Sequence, residues 1–598
     1  MTRQHRGKTM PRLRPFAGAA FAVTTTTILS TSSSNVVLAT SASSWSSPPT
    51  IAVPYPASKV NRGNTLNVIL GQIKEREKKH HILRRKIEKE IPEQWFPQVF
   101  DHFGGKKHVA EQKNGADGKA SEEKKKTWPQ RFFENDEHFK AGGPVFLMIG
   151  GEGEISADYV GDRFLAAYLG KQFGGAVLAL EHRFYGQSQP HGGDLSDLSL
   201  LSSQQALADL AGFVTAKKKG KYSKSKFLCL GGSYPGNLAA WFRQKYPDVV
   251  DGCFSFSAPI FAKKDFYEYG QMVFKALGSV VGGNTEVSAK LLSGYESILT
   301  DLNAGTPAAR KSVLQNLNAC PFTVLSQADE ANVESMLTGV SAGVVQYNNT
   351  LPSGRKIEDV AKIVGEAATP EDAAWAIFSK FAEGEAAALT GLKPRGKHVD
   401  KGNQQHDDNN KGNKNQSTAI AVTPIEVDCI DYSQREEYSS LVPDAAAAAR
   451  SWVYQTCNEF GYFQTSRVSL EKKSLYTPGV SDPSLWDGIC ENVFGISNVE
   501  ARVANTRTYY DIDESEVSKT IFINGELDPW STLSRGPSPI SHIVPHGSHC
   551  VGLYGNPEDP LVMPAAKELQ RELIKVAGKW LAEQADGTSL AAGDELYS

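Results

Sequence analysis

Three side chains in this sequence are of types that together cleave acyl bonds. Ser233 stands in Gly231-Gly232-Ser233-Tyr234-Pro235-Gly236, after an apolar run from Phe227 and before the helical spacing of Asn237 to Tyr246. A serine hydroxyl is a weak nucleophile. It needs a base, most often histidine, and a carboxylate to orient that base. Asp528 lies in Asn524-Gly525-Glu526-Leu527-Asp528-Pro529-Trp530, just beyond a strand pattern at Lys519 to Ile523. His549 lies in Val544-Pro545-His546-Gly547-Ser548-His549-Cys550, after a strand pattern at Ile540 to Val544, with His546 as the competing base. Serine, acid, histidine is the chain order of hydrolases that carry the serine on a strand-to-helix elbow. Pro235 takes the place of the second glycine of G-x-S-x-G. Proline is well tolerated where a helix starts, because its φ is pre-set and its missing N–H has no intrahelical role there.

Acyl transfer also needs two N–H groups for the oxyanion. One is that of Tyr234, directly after the serine. The other is expected from the turn after Pro144 to Ile149, at Gly151 in Gly150-Gly151-Glu152-Gly153-Glu154.

These residues must be positioned by a sheet. Apolar runs at Pro144 to Ile149, Ala176 to Leu180 and from Phe227 alternate with helical spacing at Ser202 to Thr215 and Asn237 to Tyr246. That alternation predicts an α/β fold with a mostly parallel sheet and helices on both faces. Apolar runs without strict alternation fit strands buried on both sides. From about 262 to 425 the pattern is helical, as at Val287 to Leu302 and Glu371 to Leu389, and reads as an inserted helical domain. The chain closes on an amphipathic helix with Leu569, Leu573, Val576, Ala577, Trp580 and Leu581 on one face.

The predicted organisation is therefore a signal or targeting segment at 1–42 and a low-complexity, charged spacer or propeptide at 43–90. The hydrolase core follows in two parts, 91–261 and 426–586, around a helical cap at 262–425, with a tail at 587–598. Lysine-rich, apolar-poor insertions interrupt the core at 104–127 and the cap at 393–418 and read as disordered. Arginines and a weakly apolar run at the N-terminus fit a secretory signal, with an Arg/Ser-rich transit peptide as the competing reading.

With 598 residues, 40% hydrophobic and 22% charged, the composition is that of a globular protein. A formal net charge of −3 gives no global field for nucleic acid. No stretch offers about 18 consecutive apolar residues for a membrane span. Of seven cysteines, at least one must stay unpaired within the chain. Cys229, inside a strand pattern, reads as a small buried apolar group. Asn348 and Asn415 begin glycosylation sequons. The sequence offers no metal-ligand cluster and implies no cofactor.

The stretches GGPVFLMIGGEGEIS, LALEHRFYGQSQP, GGSYPGNLAAWFRQKYP, WVYQTCNEFGYFQTS, FINGELDPWS and PHGSHC resemble the serine peptidase family of lysosomal prolyl carboxypeptidase, dipeptidyl peptidase II and thymus-specific serine protease. The last of these branches is the most similar, through YQTCNEFGYFQT and GSHC. The resemblance implies an α/β-hydrolase fold with a helical cap domain, and a serine exopeptidase that cleaves after proline. It implies Ser233, Asp528 and His549 as the triad and favours His549 over His546. It implies that Trp530 helps form the pocket for the proline ring, and that Cys320 pairs with Cys429 and Cys457 with Cys490. It further implies peptide substrates and a secreted or lysosomal/vacuolar setting. A homodimer remains open. A dipeptidyl peptidase would need a carboxylate for the substrate amine, for which Glu152 is the candidate. A lipase or esterase could be built on the same fold, and a catalytically silent homologue would keep it too.

Overall fold

A computed structural model describes residues 91–104, 126–279, 285–319, 326–348, 356–389, 448–466, 473–512 and 517–583. The leader, the spacer, most of both lysine-rich insertions, the tail, Cys320, Cys429 and Asn415 lie outside the described residues.

The central sheet is built from β1 (Gln94–Val99), β2 (Thr127–Asn135), β3 (Val145–Ile149), β4 (Ala176–Leu180), β5 (Phe227–Gly232), β6 (Gly252–Phe256), β9 (Thr520–Gly525) and β10 (Ser541–Val544). Its order is β1-β2-β4-β3-β5-β6-β9-β10. The β1–β2 and β2–β4 pairs are antiparallel and the remaining pairs parallel. Every residue of β3 and β4 is buried. Their runs VFLMI and AVLAL are apolar on both faces because helices cover both faces. This is an α/β-hydrolase fold. The helices that flank it are α1 (Leu165–Phe173), α2 (Ser203–Lys218), α3 (Tyr234–Lys245) and, at the end of the chain, Pro564–Ala582. Ser202 caps α2 by accepting the Gln205 N–H at 3.2 Å.

Between β6 and β9 the chain is mostly helical. A first group comprises α4 (Glu268–Ser279), α5 (Glu286–Asn303), α6 (Pro307–Asn316), α7 (Gln327–Gln346), α8 (Ile357–Glu366) and α9 (Pro370–Leu389). A second comprises α10 (Ala448–Gln455), α11 (Pro483–Phe494) and α12 (Val499–Tyr509). Short strands β7 (Lys263–Asp265) and β8 (Gly461–Phe463) pair with each other outside the main sheet. The chain thus rejoins the main sheet only at Thr520. One apolar cluster runs from the sheet through Trp241 and Phe460 into Tyr295 and Val340 of the helical insertion, so insertion and sheet share a core.

One sequence expectation is corrected. Cys229 is not an isolated apolar group: it is disulfide-bonded to Cys253. The two residues sit directly opposite in the β5–β6 register with Cα atoms 4.5 Å apart, a neighbourhood that strand texture alone does not reveal. Asn348 is buried, and its side-chain Oδ1 accepts the Ile357 N–H at 3.0 Å. Cys457 and Cys490 form the second disulfide, while Cys550 is a buried free thiol. Among the described residues no helix is long and apolar enough to cross a membrane, and no group of three or more His, Cys, Asp or Glu could hold a metal ion.

Candidate active site

Ser233 sits between β5 and α3 with φ 63° and ψ −134°, a region that non-glycine residues avoid. Its surroundings impose the turn. The Ser233 N–H donates to the Phe256 carbonyl at 2.9 Å, and the Ser233 carbonyl accepts the Gly236 N–H at 2.8 Å. A Cβ on Gly231 would stand 2.0 Å from the Pro235 carbonyl oxygen, so only glycine lets the first turn of α3 fold back on the strand. The side chain of Ser233 is thereby thrust out at the C-terminal end of β5, where parallel sheets gather their reacting groups.

Two loops from the far end of the chain meet it. Asp528 ends the loop after β9, is fully buried, and accepts the Trp530 N–H at 3.0 Å. His549 follows β10 and is 4% exposed. Its Nδ1 lies 3.0 Å from both Asp528 oxygens. With Nδ1–H donating to the carboxylate, Nε2 is left as the basic nitrogen. Burial works against the imidazolium, but the Asp528 charge, aided by Cys550, outweighs it and raises the His549 pKa well above the ordinary value. His546 is exposed, and its backbone N–H donates to Glu526 Oε2 at 2.9 Å. It is His549 that the structure brings to Asp528.

Tyr234 is the first residue of α3, so its N–H has no intrahelical acceptor. Its phenol is held by an ordered chain of hydrogen bonds. His182 Nδ1–H donates to the Arg183 carbonyl at 2.7 Å, leaving Nε2 to accept the Tyr234 O–H at 3.0 Å. Burial lowers the His182 pKa to about 4, so this ring stays neutral. Gln455 Nε2 donates to the Tyr234 oxygen at 3.0 Å and Gln455 Oε1 accepts the Tyr185 O–H at 2.7 Å. Gly151 packs on the same elbow: a Cβ there would lie 2.3 Å from Pro235 Cγ. The N–H groups of Tyr234 and Gly151 thus belong to segments in contact.

Glu152, next in the chain, lies near the Ser233 hydroxyl and within the field of His549. Burial raises its pKa, and its backbone hydrogen bond, the His549 charge and the nearby Ser233 hydroxyl offset this only in part. Trp530 stands on the other side of the histidine. Its ring is 6.3 Å from His549, 5.4 Å from Phe266, 5.7 Å from Tyr269 and 5.6 Å from Tyr462. Sequence reasoning singled out Ser233, Asp528, His549, Tyr234, Gly151, Glu152 and Trp530, and the structure places them beyond the C-terminal ends of β3, β5, β9 and β10. It missed His182, Gln455, Tyr269 and the helix-end residue Gln346. The EHRFYG and YQTC stretches carried the first two in plain view, without a signal of which residue they would reach. The arrangement can activate a serine, stabilise an oxyanion and seat a flat apolar side chain.

The family model described as serine carboxypeptidase S28 matches residues 119–570. Thymus-specific serine protease of Mus musculus is 32% identical over 512 residues, 82% of this chain and 88% of the relative. Its Homo sapiens counterpart is 31% identical, covering 76% and 84%. A Caenorhabditis elegans protein named prolyl carboxy peptidase like protein 5 is 44% identical over 138 residues, 22% of this chain and 27% of its own. Among solved structures, a proline iminopeptidase of Mycobacterium smegmatis covers 75% of this chain and 95% of its own, with a TM-score of 0.28 and 13% identity.

Proposed function

This chain belongs to the serine carboxypeptidase S28 family and is a serine-type peptidase, and from that premise we propose that it is an exopeptidase cleaving after proline through Ser233, His549 and Asp528. The observation that carries the reading is the His549–Asp528 pair beside a strained serine. Both carboxylate oxygens lie 3.0 Å from Nδ1, which supports Nε2 as the nitrogen available to act as base.

In this mechanism Ser233 Oγ attacks the substrate carbonyl while His549 Nε2 takes its proton. The oxyanion is received by the Tyr234 and Gly151 N–H groups. His549 then protonates the leaving amine, and the acyl-enzyme forms. Water repeats the sequence with the same base and frees Ser233. Asp528 keeps the imidazole in the right tautomer and stabilises the imidazolium. The Trp530 face, with the aromatic rings around it, suits the pyrrolidine ring of proline.

Two modes fit this site. A carboxypeptidase removes the residue after proline. A dipeptidyl peptidase holds the free amine with a carboxylate, and Glu152 at the nucleophile is the observation that favours it. The two disulfides among the described residues fit an oxidising, secreted or lysosomal/vacuolar setting.

The test is mass spectrometry of one unblocked peptide that begins Ala-Pro and ends Pro-Phe, with Ser233→Ala as control. Loss of Phe alone identifies a carboxypeptidase; release of Ala-Pro identifies a dipeptidyl peptidase. An intact peptide together with no labelling by a fluorophosphonate probe would overturn the serine mechanism. Full activity in Ser233→Ala would do the same.

A further inference from the structure

Gln346 is the last residue of α7 and is 7% exposed. Its side-chain Oε1 accepts the Trp530 Nε1–H at 3.0 Å and the Tyr269 O–H at 2.8 Å. Its backbone carbonyl accepts the His549 N–H at 2.9 Å. None of the steps above uses Gln346, yet it meets the aromatic pocket and the base loop together.

We propose that Gln346 is a positioning residue that sets the width of the pocket for the side chain preceding the cleaved bond and registers that pocket on His549. The inference rests on the post-proline reading of the same site. Trp530 lies on a short turn after Asp528, and Tyr269 on α4 of the helical insertion. The ring contacts around them are apolar and leave each ring free to slide along its neighbour. The hydrogen bonds to Oε1 are directional. They fix the indole edge and the phenol on one acceptor, which holds Trp530 and Tyr269 at a ring separation of 5.7 Å and 73°. The backbone bond to His549 is independent of the side chain. It ties the end of α7 to the base, so pocket and reacting centre share one anchor on the insertion. Tyr347, the next residue, sets its ring 6.3 Å from His549 and leaves the base loop little lateral freedom.

Losing the side-chain oxygen should therefore loosen the pocket without touching the triad. An apolar pocket discriminates against a substrate short of one methylene by roughly 10- to 200-fold. A looser one gives up part of that ratio, and gives it up in KM more than in kcat.

The experiment compares two substrates that differ only in Pro or Ala before the cleaved bond, in the wild type, in Gln346→Met and in Tyr269→Phe. Fluorophosphonate labelling rates report the triad separately. Gln346→Met is expected to lower kcat/KM for the proline substrate about 10-fold, mainly through KM. The alanine substrate should change less than about 3-fold, and labelling less than about 2-fold. Tyr269→Phe removes only one of the two donors and keeps the ring, so it should lower the Pro/Ala ratio by a smaller factor. Gln346→Glu, which keeps the acceptor, should restore the ratio. An equal fall on both substrates, or an unchanged ratio in Gln346→Met, overturns the inference. If Gln346→Met does not fold, an unchanged ratio in Tyr269→Phe overturns it instead. A wild type with no preference for proline refutes the post-proline reading. The same variants are then compared on the largest and smallest residue the wild type accepts, and the same two outcomes decide the role of Gln346.

Discussion

Replacing Glu334 by Gln should flatten the loss of stability expected for this protein as pH rises. Glu334 lies on α7 and its side chain is fully buried. One carboxyl oxygen accepts the Thr477 N–H, and the other has no partner among the described residues. Burial pushes its pKa from 4.5 up to about 8. The native state therefore keeps a proton that the unfolded chain has released. The stabilising contribution is complete below about pH 4.5, is lost progressively as pH climbs to about 8, and changes no further above that. At about 1.4 kcal/mol per tenfold change, the displacement corresponds to roughly 3–5 kcal/mol. Gln keeps an acceptor for Thr477 and carries no charge. At pH 8 the variant should exceed the wild type by roughly 2–4 kcal/mol, and at pH 4.5 the two should agree within about 1 kcal/mol. Urea midpoints at pH 4.5, 6 and 8, followed by tryptophan fluorescence, measure the difference. Glu459 acts in the same direction: burial raises its pKa to about 7 against the bonds from Ser203. The wild-type slope is thus reduced in the variant, not abolished. Parallel pH profiles for wild type and variant would refute the reasoning.

Asp528→Asn should leave folding intact and lower kcat by about 10⁴-fold, because Asn no longer selects the Nδ1–H tautomer of His549; steady-state kinetics on a proline substrate will show it. Gly151→Ala places a Cβ 2.3 Å from Pro235 Cγ, so the turn must shift. We expect kcat to fall by about 10²-fold with KM little changed, as when one oxyanion donor is lost. Cys490→Ser opens the bridge to Cys457 and should cost about 2–4 kcal/mol, read as a lower urea midpoint.

The parts of the site written in local sequence were legible. The elbow needs a strand, small residues and a helix in one continuous stretch, and Phe227 to Tyr246 carries all of them. Asp528 and His549 could be found because chain order and strand ends are one-dimensional signals. What stayed hidden depends on distant partners. Cys229 looks like any buried small residue until Cys253 is known to be its cross-strand neighbour. The sequon at Asn348 spans a few residues, whereas its burial against Ile357 is tertiary. Gln346 and Gln455 are ordinary polar residues at helix ends, and only packing shows that one reaches Trp530 and the other Tyr234. The extent of the helical insertion was also hard to read. The stretch 448–512 is apolar enough to pass for core, but its short strand β8 pairs with β7 instead of the main sheet.

The pairing of β6 with β9 has a consequence for biosynthesis. Phe256 faces Ile523 in that pair, and the Cys550 N–H reaches the Ser257 hydroxyl across 293 residues. A ribosome adding 5–20 residues per second needs about 15–60 s to cover that distance. For that interval the nascent chain holds the β6 edge without its neighbour, which calls for protection from aggregation. It also holds Ser233 before its proposed base and acid, His549 and Asp528, have been translated. With the proposed triad, the order of the chain keeps the peptidase inert while it is being made and completes the site only as the last strands emerge.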